Sequence, residues 1–113
     1  MNKLLYNELT QLANEQEFIA YGDAASLVGL SISKKKDRRK LYDMLDEISL
    51  YEHKANRPML TALIVHKGID NKPGKGFYTK AEELGYYSGS KKSLDQLDFW
   101  VSQIKQIFAE WSS

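Results

Sequence analysis

The chain contains no cysteine among its 113 residues. This absence excludes disulfide bonds, metal sites built on thiolates and a cysteine nucleophile. Histidine is also scarce, since His53 and His66 are the only two residues of this type. Their spacing fits no metal-ligand motif, such as two histidines four residues apart on one helix. We predict a non-enzymatic protein with no cofactor, no bound metal and no catalytic residues.

Long apolar runs are missing as well. The longest, from Met59 to Val65, has seven residues, whereas a helix that crosses a bilayer needs about 20. An acidic residue, Glu8, appears early in the chain, which is atypical of a secretory signal. We therefore expect no association with a membrane and a cytoplasmic location, which agrees with the absence of cysteine.

The remaining composition is that of an ordinary soluble globular protein, with 42% hydrophobic and 27% charged residues. The length is sufficient for one hydrophobic core but not for two. We predict a single domain over residues 1–113.

Charge is distributed unevenly along the chain, although the net charge is only +1. Residues 31–92 contain 14 Lys and Arg against 8 Asp and Glu, which gives +6. The two ends together contain 2 against 7, which gives −5. A basic centre between acidic ends indicates one positive surface, a common feature of nucleic-acid-binding proteins. The alternative is a solvated surface without a binding role.

The most basic segment follows a short predicted helix. Asp23 is a good N-cap for that helix, and Gly29 is a typical C-terminal stop. A second helix is then predicted over residues 34–51, with Ser31 and Ser33 as candidate caps. The pair has the outline of a helix-turn-helix. The first turns of the second helix carry six cations: Lys34, Lys35, Lys36, Arg38, Arg39 and Lys40.

A β-hairpin is predicted after the helix break at Pro58. Residues 59–65 have the apolar composition of a buried strand, and residues 66–76 form a loop rich in glycine and lysine. Phe77 and Tyr78 would return as the second strand. The hairpin would form the wing of a winged helix-turn-helix, and Lys72 and Lys75 would lie in its loop.

Two amphipathic helices complete the predicted α+β fold, which is mainly helical with a small antiparallel sheet. One covers residues 2–15 and the other residues 94–111. The apolar stripe of the second helix is predicted to pack on the core, and a dimer seam is the alternative, so the chain is a monomer or a homodimer. That stripe consists of Leu94, Leu97, Val101, Ile104, Phe108 and Trp111.

These patterns predict a small DNA-binding protein. Cations along one helix edge and in a flexible loop would contact two stretches of phosphate backbone, most readily in duplex DNA. Arg38 and Arg39 are the only side chains in the basic segment suited to bidentate base contacts, so we expect weak sequence selectivity. The predicted contacts are Lys34, Lys35, Lys36, Arg38, Arg39, Lys40, Lys72 and Lys75.

Two other functions remain open at this point. One is a protein-interaction module or inhibitor whose basic surface meets an acidic partner, with Trp100 and Trp111 as a docking surface. The other is a small nuclease that uses Glu47, Glu52 and His53.

Residues 18–68 resemble the DNA-binding half of alkylguanine alkyltransferases and alkyltransferase-like proteins. The resemblance rests on Tyr21-Gly22-Asp23-x-Ala25-x-Leu27-x-Gly29, on Arg39, Leu45 and Pro58, and on the apolar segment that follows. It implies a winged helix-turn-helix that holds the minor groove of DNA, with Arg39 as an arginine finger. The family's Pro-Cys-His-Arg motif is absent, which excludes alkyl transfer.

A second stretch, residues 45–77, resembles a group of small uncharacterised bacterial and phage-borne proteins. The shared residues are Leu45, Ile48-Ser49, Glu52, Arg57-Pro58-Met59-Leu60, Ala62-Leu63-Ile64-Val65 and Pro73-Gly74-x-Gly76-Phe77. This resemblance implies a bacterial or phage origin and no particular mechanism.

Overall fold

The computed structural model describes residues 1–112. Within them the chain forms five α-helices, one 3₁₀ helix and two short strands. In chain order these are α1 (Lys3–Glu15), β1 (Ile19–Ala20), α2 (Tyr21–Leu27), α3 (Lys35–Lys54), the 3₁₀ helix (Leu60–Leu63), β2 (Ile64–Val65), α4 (Lys75–Leu84) and α5 (Ser93–Trp111). The prediction of a mainly helical α+β fold is confirmed.

The 3₁₀ helix lies at the centre of the core, where the sequence predicted a strand over residues 59–65. It contacts α1, α3 and α5, and all four of its residues are buried. Helix α5 satisfies backbone groups of this segment with side chains. Gln103 Oε1 accepts a hydrogen bond from Met59 N at 2.8 Å, and Trp100 Nε1 donates to the Ala62 carbonyl oxygen at 2.9 Å. These bonds remove the need for a sheet partner here.

The predicted antiparallel sheet is wrong, because the two strands run parallel. Ile19 pairs with Ile64 and Ala20 with Val65. The hairpin over residues 59–78 does not form, since Phe77 and Tyr78 belong to α4. Phe77 and Ala81, four residues apart, are both buried, so this segment follows the helical period of its apolar residues.

Helices α2 and α3 occur close to where they were predicted, but with different starts. Helix α2 begins at Tyr21, which leaves Asp23 inside its first turn and not at the N-cap. Ser31 and Ser33 do not cap α3, because their hydroxyls hydrogen-bond each other at 2.7 Å. The connection over residues 28–34 is also longer than the turn of about 3–4 residues in a helix-turn-helix.

Helices α1 and α5 follow the predicted ranges closely, but the predicted stripe of α5 packs on the core only from Ile104 onward. Its buried residues are Gln103, Ile104 and Ile107, while Leu94 and Val101 are exposed. Apolar residues occupy more than one side of α5, so the position of its neighbours decides which side is covered.

Gly85 provides a test of local backbone conformation. It ends α4 with φ +88°, a conformation that costs most residues about 1 kcal/mol. We expect Gly85→Ala to lower the free energy of unfolding by about that amount in urea denaturation. Gly76→Ala is the control, because Gly76 lies inside α4 with negative φ and an added Cβ would meet no atom within 4 Å. It should be neutral or slightly stabilising.

Candidate functional site

The six cations of the basic segment lie at the N-terminal end of α3. Arg38 is half-buried and the other five are exposed. Within residues 1–112, ion pairs join Met1 to Glu47, Arg57 to Glu52, Lys80 to Glu83 and Lys91 to Glu82. The six cations therefore form no ion pair with a described carboxylate, and their charge is open to solvent.

Two hydrogen bonds hold the start of α3 against the preceding connection. Asp37 Oδ2 accepts from Ser31 N at 2.9 Å, and Arg38 Nη1 donates to the Ile32 carbonyl oxygen at 2.9 Å. No side chain caps the helix N-terminus. The positive end of the helix dipole therefore lies among the cations, an arrangement that attracts anions and not cations.

The loop over residues 66–74 is folded on itself. His66 N donates to the Lys72 carbonyl oxygen at 2.9 Å, and the His66 carbonyl oxygen accepts from Ile69 N and Asn71 N at 3.1 Å. Lys72 is exposed in this loop, and Lys75 is exposed at the first position of α4. The predicted wing is thus a compact loop followed by a helix.

Tyr21 connects this loop to α3. Its hydroxyl accepts a hydrogen bond from Gly74 N at 2.9 Å, and its ring lies 6.3 Å from the ring of Tyr42 in α3. Arg38 and Arg39 precede Tyr42 by four and three residues, which is about one helical turn. Tyr21 therefore joins the start of α4 to α3 about one turn after the two arginines.

A cavity of about 390 Å³ lies between α2, α3 and α4, and it was not predicted. Tyr21 and His66 form one wall, with ring centroids 4.6 Å apart. Ser49 and Thr61 line it as a buried pair of hydroxyls hydrogen-bonded at 2.9 Å. Tyr42, Asp46, Lys75, Phe77, Lys80 and Glu83 are among the other lining residues.

Burial and nearby charges shift the pKa values of two groups that line the cavity. Burial raises the pKa of the Asp46 carboxyl, and the ammonium of Lys80 opposes this shift. Burial also raises the pKa of Tyr21, against the hydrogen bond from Gly74. Aromatic walls with a few hydrogen-bonding groups are typical of sites that bind small molecules.

The sequence contained one signal of this cavity. Tyr42, Asp46 and Ser49 are spaced four and three residues apart and share one face of α3. Ser49 is buried on this face, where an apolar residue would be usual. The opposite wall could not be found in this way, because it is formed by residues distant in the chain.

The three residues of the alternative nuclease reading are each engaged in other contacts. Glu52 is fully buried and is paired with Arg57, and Glu47 forms an ion pair of 2.6 Å with the N-terminal amine. His53 packs against the ring of Tyr86, with centroids 5.0 Å apart. Among the described residues, no three His, Cys, Asp or Glu side chains are grouped so that they could hold a metal ion.

Trp100 and Trp111, the candidate docking surface of the alternative function, are both partly buried against the core. Trp100 donates to the 3₁₀ helix and packs near Phe18, with ring centroids 6.1 Å apart. Trp111 lies against Tyr6, with centroids 6.4 Å apart, and its indole nitrogen is buried. Both indoles contribute to the protein's own packing.

In the part of the chain that the structure describes, no helix has both the length and the apolar character needed to span a membrane. Comparisons with protein-family models, with curated proteins and with solved structures find no match. Any assignment of function must therefore come from the side chains and their arrangement.

Proposed function

We propose that this protein binds nucleic acid, most readily duplex DNA, without catalysing a reaction. The N-terminal end of α3 would contact the phosphates, and the loop over residues 66–74 together with Lys75 would provide a second contact. The observation that carries the proposal is the cluster of six cations at one helix end with no paired carboxylate among the described residues. A cytoplasmic location is part of the proposal.

The start of α3 concentrates positive charge on a small part of the surface. Six positive side chains at the positive end of a helix dipole repel each other, and a phosphate backbone removes this repulsion. No carboxylate among the described residues forms an ion pair with these cations. Phosphate binding would therefore break no internal ion pair of these cations.

Weak sequence selectivity is expected from the same geometry. Arg38 already donates one hydrogen bond to the Ile32 carbonyl oxygen, which restricts its reach to base edges. Arg39 is exposed and, among the described residues, makes no such bond, so it is the better candidate for a base contact. Phosphate contacts position a protein on DNA, whereas base contacts provide its specificity.

A salt titration of binding tests the proposal. Fluorescence anisotropy with double-stranded DNA, single-stranded DNA and RNA should give affinity that falls steeply with salt. Six to eight phosphate contacts predict a slope of roughly −5 to −7 in log K against log[salt] on duplex DNA. Absence of binding to every probe at low salt would contradict the proposal, and an acidic protein would then be the better candidate partner for the cations.

A further inference from the structure

The outer side of α5 carries apolar side chains that no part of the described chain covers. Leu94 is 73% exposed and Val101 is 38% exposed, and Leu97 lies between them at spacings of three and four residues. A groove follows this side of the helix and is lined by α5 alone: Leu97, Asp98, Val101, Ser102, Lys105 and Gln106. Contiguous apolar side chains on an exposed helix face are a common feature of interfaces.

The charges on this surface are complementary to themselves. Asp98 and Lys105 are both exposed, and neither forms an ion pair within residues 1–112. They lie equally far along the helix from the point between Val101 and Ser102. If a second α5 runs antiparallel and is centred on that point, Asp98 of each copy lies opposite Lys105 of the other.

The apolar residues fit the same arrangement. Val101 would meet Val101 of the second copy next to the twofold axis. Leu94 and Leu97 would approach Phe108 of the other helix, which is half-buried in its own molecule. Positions three and four residues apart form the contact line of paired helices, so the apolar and the charged contacts form in one register.

We propose that the protein forms a twofold dimer through antiparallel packing of α5. The antiparallel direction also places opposite ends of the two helix dipoles together. Stable interfaces usually bury about 1,200–2,000 Å², more than one pair of short helix faces supplies. The dimer is therefore weak, with dissociation in the micromolar range or above. This proposal does not rest on nucleic-acid binding.

A charge exchange tests the register. Sedimentation velocity over a wide concentration range would compare the unmodified protein with Asp98→Lys, Lys105→Asp and the double variant. Each single variant places like charges opposite each other twice in the dimer, so its dissociation constant should rise about tenfold. The double variant restores both pairs and should dimerise within about threefold of the unmodified protein. Neither residue has a charged neighbour four positions away in the helix, so the exchange breaks no i,i+4 ion pair.

The outcomes separate this interface from others. A protein that stays monomeric at several hundred micromolar overturns the proposal, and so does a dimer that tolerates both single variants. Failure of the double variant to recover also overturns it, provided that circular dichroism shows a native fold. Val101→Glu is a second probe, since it places two like charges at the twofold axis and should abolish dimerisation.

Discussion

Replacing Lys35 and Arg39 with glutamine should reduce the salt dependence of DNA binding by about two units of log–log slope. Each phosphate contact contributes about 0.9 to that slope, because each contact releases condensed counterions. The two residues are four positions apart at the start of α3, so they share one face of the helix. The measurement is a salt titration of anisotropy with one duplex probe for all variants.

A matched control has the same change in net charge at a different place. Lys54 lies in the last turn of α3 and Lys92 immediately precedes α5, and both are exposed. Lys54→Gln combined with Lys92→Gln should leave the slope unchanged. Equal reductions in the two double variants would mean that only net charge matters, and the proposed surface would then be wrong.

Replacing Arg57 with alanine should lower the free energy of unfolding by about 3–5 kcal/mol, the usual cost of leaving one member of a buried ion pair without its partner. Glu52 is fully buried on α3, and Arg57 Nε donates a hydrogen bond to its Oε2. The guanidinium also lies over the rings of Tyr51 and Trp111, 5.7 Å and 5.5 Å from their centroids. The variant loses the pair and both ring contacts.

The surroundings of Glu52 would do little to offset the loss of Arg57. Its Oε1 has no hydrogen-bond partner among the described residues. Burial, followed by the nearby Glu52 carboxylate, raises the pKa of Tyr6 to about 12. The neutral hydroxyl of Tyr6 is thus the form that the site favours, and it cannot replace the charge of Arg57. We expect the melting temperature to fall by about 10 °C or more for a chain of this size.

Two further variants identify the cause of that loss. Glu52→Gln in the Arg57→Ala background removes the unpaired charge and should recover part of the stability, since burying a neutral amide costs less than burying a carboxylate. Lys91→Ala breaks the exposed pair in which Lys91 Nζ lies 3.8 Å from Glu82 Oε2. This variant should lower the free energy of unfolding by at most about 1 kcal/mol. A loss below about 1 kcal/mol for Arg57→Ala in urea denaturation would contradict the argument.

Several local features could be predicted from the sequence because neighbouring residues decide them. The spacing of Leu5, Leu9 and the other apolar residues of α1 forces one side of that helix into the core. Gly85 ends α4 with a positive φ, a conformation that few other residues adopt. The exposure of the lysines at the start of α3 also follows locally, because an ammonium without a partner stays in water.

Other features could not be predicted, since they depend on residues far apart in the chain. Residues 59–65 have the composition of a strand, yet Trp100 and Gln103 of α5 supply their hydrogen bonds. Glu52 looked like a surface or catalytic carboxylate, because its pairing with Arg57 depends on how the chain turns after α3. Nothing in the local pattern of either segment indicates these contacts.

The sequence by itself determined that the protein is mainly helical, that it has no thiol chemistry and that its positive charge is concentrated at one helix start. Periodicity and composition are local properties, and they do not depend on contacts between distant residues. Only the tertiary structure decided that β1 and β2 pair in parallel, which side of α5 is covered and where the cavity lies. Each of these depends on surfaces that meet once the whole chain has packed, where burial of apolar area and satisfied hydrogen bonds outweigh local preference.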